Sequence, residues 1–229
     1  MEIRVLADAT AVAIEAAKVI AQEGRGAAAA RGRFTLAVSG GQTPWQMLRA
    51  LAREDLPWQS VYLAQVDERV APAGHPDRNL SHMCQSLLEH VPIPSEQVRA
   101  MPVESPDLEA AALHYARMLE EIAGSPPVLD LVHLGLGSDG HTASLVPGDP
   151  VLGVCDADVA LAQPYQGRRR MTLTYPALNR ARRILWVVTG VEKAGMLVRL
   201  RDGDLTIPAG RVRQERALVL ADRAAAARL

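Results

Sequence analysis

Short apolar runs alternate with helix-patterned stretches from one end of the chain to the other, and this alternation restricts the fold more than any other feature. In "RILWVVTG" the run Ile184–Val188 offers no polar face, so as a strand it must be covered on both sides. Helices between such runs supply both the cover and the crossovers that parallel strands need. We therefore expect an α/β fold, a doubly wound and mostly parallel sheet flanked by helices, with room for a small subdomain around 150–180. No internal repeat or long linker interrupts the pattern, which points to a single domain over 1–229.

The strands expected are "IRVLAD", Phe34–Gly41, Val61–Arg69, Leu129–Leu136, "MTLTYPAL" with one wet face, "RILWVVTG" and "ALVLAD". Thr10 is placed to cap an Ala-rich helix that fades near Gly24–Gly26. After Gly41, Thr43 suits an N-cap, Pro44 the first helical position, and Gln46 completes a capping box. Asn79–His90 reads as a helix. Asp107–Ile122 is clearer, because Leu108, Ala111, Ala112, Tyr115, Leu119 and Ile122 recur near a 3.6 period. Ala27–Ala30 and Ala224–Ala227 also read as helix.

Composition narrows the class. Hydrophobic residues at 48% against 22% charged leave enough apolar material for a sizeable core. Aromatics are 3% with one Phe, so that core is built from Ala, Val, Leu and Ile. A net charge of −1 argues against a nucleic-acid partner while leaving room for a local pocket that holds one small anion. Cys84 and Cys155 have neither C-x-x-C nor metal-ligand spacing and read as inert thiols of a reducing compartment. The N-terminal "MEIRVLADAT" lacks a charged-then-apolar leader, and no apolar run approaches ~18 residues, so we expect a cytoplasmic protein without a membrane span.

One stretch invites a nucleotide reading. Gly135-Leu136-Gly137-Ser138-Asp139-Gly140 fits G-x-G-x-x-G and follows a strand. A dinucleotide turn needs a helix at its third glycine, whose free N–H groups hold the pyrophosphate. Here Pro147, Gly148 and Pro150 follow too soon for one. The acidic residues at the right distance, Asp156 and Asp158, lie in a loop-like segment with no crossover helix before them. What remains is a glycine-rich turn at a strand's carboxyl end that presents His141, a placement suited to chemistry. Ser144 lies three residues beyond, but no G-x-S-x-G elbow supports a serine nucleophile.

A second loop reads as an anion cradle. "VSGGQTPW" sets Ser39, Gly40, Gly41, Gln42 and Thr43 between a buried strand and a helix start, where successive backbone N–H groups converge. It is not a Walker A loop and fits a monophosphate. Lys193, Arg170 and Arg69 each fall at a strand boundary and can support that phosphate, whereas Arg168 and Arg169 read as solvated.

Taken in order, "VSGGQTP", "VDERVAPAGHPDRN", "LGLGSDGHTASLVPG", "RMTLTYPALNRA" and "VVTGVEKA" resemble the 6-phosphogluconolactonase family of the glucosamine/galactosamine-6-phosphate isomerase superfamily. The resemblance covers nearly the whole chain, and five ordered motifs are far more specific than any one. The superfamily's deaminases share the cradle and the Asp-Gly-His turn but continue with an "AFNEP"-like stretch whose Glu assists the histidine. This chain has "TASLVPG", with no acid before Asp149. Val146 departs from the lactonase pattern, where Phe is usual, and that touches packing only.

The resemblance implies hydrolysis of 6-phospho-D-glucono-1,5-lactone to 6-phospho-D-gluconate in the oxidative pentose phosphate pathway, with neither metal nor cofactor. His141 would activate water, and Ser39, Gly40, Gly41, Lys193 and Arg170 would hold the phosphate. Asp67, Arg69 and Asn79 would line the sugar side, with Asp67 either orienting substrate or moving a proton. Lactones are activated esters, so a histidine and an oriented water suffice. Its partner would be the small sugar-phosphate lactone, and the protein a monomer or small homo-oligomer. Two other readings are a deaminase or isomerase with Asp67 as enolisation base, and a non-catalytic sugar-phosphate sensor.

Overall fold

The structure, a computed structural model, describes residues 1–229. Its strands are β1 (Glu2–Leu6), β2 (Phe34–Val38), β3 (Val61–Gln65), β4 (Asp67–Arg69), β5 (Val98–Arg99), β6 (Leu131–Leu134), β7 (Val159–Tyr165), β8 (Arg168–Leu173), β9 (Arg183–Val188) and β10 (Ala217–Asp222). The helices are α1 (Ala9–Arg31), α2 (Gln42–Leu51), α3 (Asn79–Ser86), α4 (Leu108–Ala123), α5 (Tyr175–Arg180) and α6 (Ala194–Arg201). Seven strands pair in parallel in the order β1-β10-β9-β6-β2-β3-β5. The expected parallel sheet with helices on both faces is what forms.

The pleat divides the core. On β10, Leu218 and Leu220 join α1, α2 and α3 on one face, while Val219 and Ala221 meet α4, α5 and α6 on the other. Both faces are dry, which is why these strands are apolar throughout.

Strand order explains where a site can form. From β2 the chain steps outward to β3 and β5, then returns across β2 to β6 and proceeds the other way through β9 to β10. Connections therefore leave β2 and β6, which are neighbours, in opposite directions. That divergence opens a crevice at their carboxyl ends, the usual ligand position in open α/β sheets.

Where a small subdomain was expected, β4, β8 and β7 form a three-stranded antiparallel sheet. The Val61–Arg69 strand is consequently two: Val66 marks the passage from the main sheet to the small one. "MTLTYPAL" has no wet face either. Its first half ends β8, fully buried, and its second half opens α5 after Thr174.

Several ends also differ from expectation. Asp8, not Thr10, caps α1, its carboxylate accepting the Ala11 N–H at 2.9 Å. That helix runs through Gly24 and Gly26 to Gly32, because Gly24 packs where a Cβ would meet Leu56 and the Phe34 ring. Asn79–His90 divides into α3 and a short 3₁₀ turn at Leu88–His90. The alanines at 224–227 form turns around Asp222, which accepts the Ala225 N–H, rather than a helix. No helix is long and apolar enough to cross a membrane.

Candidate active site

At the switch point lies a polar cleft of about 360 Å³. Ser39, Gly40, Gly41, Thr43, Asp67, Arg69, Asn79, His141, Arg170 and Lys193 all line it, so the structure brings every sequence-expected site residue together.

The first wall follows β2. The Ser39 N–H donates to Nδ1 of buried His133 at 3.3 Å, and its hydroxyl donates to the His133 carbonyl at 3.1 Å, stitching β2 to β6. The Ser39 hydroxyl proton is thus engaged within the fold. Gly41 precedes α2 with φ of 128°, a conformation that favours glycine. Gly40 is required for a different reason: a Cβ there would stand 1.9 Å from the Asn79 Oδ1. The helix begins at Gln42, so Thr43 lies inside its first turn and is not the cap. Its hydroxyl instead meets that of Thr189, after β9, at 2.7 Å.

The second wall follows β4 and α3. Asp67 is buried, its Oδ2 accepting the Ser144 hydroxyl at 2.6 Å. Asn79 donates to the Asp67 carbonyl at 2.9 Å and accepts from Arg69 at 2.6 Å. Between Asp67 and Arg69, Glu68 is fully buried and points away from the cleft. It accepts the backbone N–H groups of Arg69, Asn79 and Leu80, each at 2.8 Å, and pairs with Arg78 at 3.2 Å. It therefore serves the first turn of α3, where no side-chain cap exists.

The third wall is the Gly135–His141 turn. Gly137 donates to the His141 carbonyl at 2.8 Å, and Gly140 closes the turn with φ of 85°. The imidazole packs so tightly on Gly137 that a Cβ would lie 2.1 Å from its Nδ1. Asp139 accepts at Oδ1 from the His141 ring Nδ1 at 2.6 Å and from the His141 N–H at 3.1 Å. Burial pushes the Asp139 carboxyl up, but these bonds and the charge of His141 outweigh it and hold the carboxyl below its usual range. A carboxylate can only accept, so Nδ1 carries the proton and the Nε2 lone pair is left for the cleft.

Cations complete the lining. Arg170, on β8, is 4% exposed with its Nε unpaired by protein. Its burial lowers its proton affinity, opposed by the charge of Asp67. Lys193 follows β9 and makes no ion pair. Its loop is anchored by buried Asp222, which accepts the Gly190 N–H at 3.1 Å. Arg168 and Arg169 bond Asp77 and Glu109 at the surface, as expected. Three cations and two carboxylates, Asp67 and Glu192, thus face the cleft.

Sequence reasoning missed Asp139 as the partner of His141, though the Asp-Gly-His spacing carried it. It also missed Ser144 as a support for Asp67. The Ser144 hydroxyl is fully buried and points to Asp67, which removes it from any nucleophilic role.

A family model described as glucosamine-6-phosphate isomerases/6-phosphogluconolactonase matches residues 7–220. The chain belongs to this family. A 6-phosphogluconolactonase of Nostoc sp. is 34% identical, with 99% of this chain and 98% of that protein covered. Another, of Synechocystis sp., is 40% identical over 73% of this chain and 71% of its own length. The crystal structure of a 6-phosphogluconolactonase from Thermotoga maritima matches with a TM-score of 0.85 at 28% identity, covering 96% of this chain and 98% of that one. In the structure, the five motifs that resemble this family each contribute residues to the lining of the same cleft.

Proposed function

We propose that the chain hydrolyses 6-phospho-D-glucono-1,5-lactone to 6-phospho-D-gluconate. The observation that carries this reading is the Asp139–His141 pair, which leaves a basic Nε2 at a cleft also lined by Arg69, Arg170 and Lys193. The full-length kinship with proteins named 6-phosphogluconolactonase supports it.

In this mechanism the substrate phosphate lies on the Ser39–Thr43 cradle with Lys193 and Arg170, and Asp67, Arg69 and Asn79 orient the sugar. His141 Nε2 takes a proton from water as the water oxygen bonds to the lactone carbonyl carbon. The carbonyl electrons move onto its oxygen, giving a tetrahedral intermediate. On collapse the carbonyl reforms, the bond to the ring oxygen breaks, and the imidazolium returns its proton to that oxygen. Asp139 holds the tautomer and stabilises the imidazolium between the two steps. Asp67 orients substrate, its carboxylate being held by Ser144.

Beyond the acid that Asp139 supplies, the deaminase-type pattern carries a second one in the stretch after the histidine, which this chain lacks. The next one along the chain, Asp149, is committed elsewhere: it accepts the N–H groups of Val151 at 2.9 Å and Gln163 at 2.8 Å. With the lactonase reading go a cytoplasmic location, one domain over 1–229 and no nucleic-acid partner. The test is acid release from fresh lactone, which purified protein should accelerate well above the spontaneous rate. Equal rates with and without protein would remove the proposal.

A further inference from the structure

One aromatic side chain touches the Asp139–His141 pair without a part in the reaction above. Tyr165 ends β7, next to the two-residue turn Gln166–Gly167, both with positive φ, that leads into β8. Its hydroxyl donates to Asp139 Oδ2 at 3.2 Å, the oxygen that His141 leaves free. Its ring meets the His141 imidazole edge-on, with centroids 5.4 Å apart. Arg170 lies over the same ring at 5.0 Å.

We propose that Tyr165 is a positioning residue, fixing the Asp139 carboxylate that orients His141 and giving Arg170 a platform at the phosphate side. This deepens the lactonase reading and rests on His141 being its base. The hairpin is built to place this side chain. Ala162 pairs with Arg170, but Tyr165 pairs with Arg168, so β7 carries one residue more than β8 between the two pairs. Such a bulge re-aims the strand beyond it. Without it Pro164, not Tyr165, would oppose Arg168 and share the face of Arg170. Burial and the Asp139 charge both raise the Tyr165 hydroxyl above its usual value, so it remains a donor. With one carboxylate oxygen bonded to Tyr165 and the other to His141, Asp139 has little freedom to swing away from the imidazole. Arg170 gains a cation–π contact that holds its guanidinium against the hairpin.

Tyr165→Phe removes the hydroxyl and keeps the ring. In full-length protein with ¹⁵N-labelled histidine, the His141 signals (assigned by their loss in His141→Gln) report its tautomer where the ring is neutral. Wild type should show the Nδ1-protonated form alone, and Tyr165→Phe a mixture. The same variant should lose about 3- to 10-fold in kcat, the effect of one lost hydrogen bond, with KM and melting temperature unchanged. Tyr165→Leu, which also removes the platform, should raise KM as well. Unchanged kcat in Tyr165→Phe, or an unchanged tautomer, would overturn the proposal. A tautomer shift in a protein that hydrolyses no lactone would count against the reaction and leave the positioning standing.

Discussion

Glycine 137 shows how much of this site is decided by one missing methyl. The imidazole of His141 occupies the space a side chain would need, with Nδ1 2.1 Å from where a Cβ would sit. Gly137→Ala must therefore push the ring off Asp139, and we expect kcat to fall at least ~100-fold, the scale of a lost general base. Thermal unfolding should barely change, because His141 is partly solvent-exposed. An alanine variant with full activity would contradict the geometry. The sequence made His141 legible through its glycine-rich turn, and the cradle through its two glycines before a helix. Asp139 was harder to see because a turn Asp looks the same whether it caps the backbone or holds a ring, and here it does both. Tyr165 was invisible, since it meets Asp139 across 26 residues and depends on a bulge that no local pattern announces.

At the scale of elements, the interruption of a strand at Val66 is the decisive event. It lets β4 leave the main sheet and turn Asp67 into the cleft while Glu68 faces inward to start α3. The charge of Glu68 is matched by Arg78 and by backbone donors that the helix end cannot otherwise satisfy. Glu68→Gln sets an amide against those donors and leaves Arg78 without its fully buried partner. We expect a loss of about 3 kcal/mol in urea unfolding, together with reduced activity as Asn79 loses its anchor. A loss within 0.5 kcal/mol, roughly that of a surface substitution, would contradict this role. Periodicity found most elements, yet it misplaced ends wherever tertiary contacts outvoted local signals. Gly24 stays helical for packing, and Thr43 joins the helix because its hydroxyl has Thr189 to bond. The buried residues of "MTLTY" alternate in polarity because Thr172 and Thr174 find hydrogen bonds inside, with Leu173 and Ala157 among the partners.

For the whole molecule, the doubly wound parallel sheet was implied by the apolar runs, but its strand order, and with it the reversal between β2 and β6, was not, since it depends on long-range pairing. His133 sits at that reversal, fully buried and tied to Ser39. Burial lowers its pKa from 6.5 to about 3, so it is neutral in the folded protein while the unfolded chain protonates it below about 6.5. Its contribution to stability is complete above that pH and is lost as pH falls toward 3, about 2 kcal/mol by pH 5. His133→Asn, which keeps an acceptor, should flatten this decline between pH 7 and 5; parallel profiles for the two proteins would contradict it. The same reversal delivers His141 to the cleft. The most direct measurement is the rate of acid release from fresh 6-phosphogluconolactone by wild type and His141→Ala, with product binding followed alongside. The kcat of the variant should be lower by ~100-fold or more, with binding retained. Full turnover by His141→Ala would contradict it.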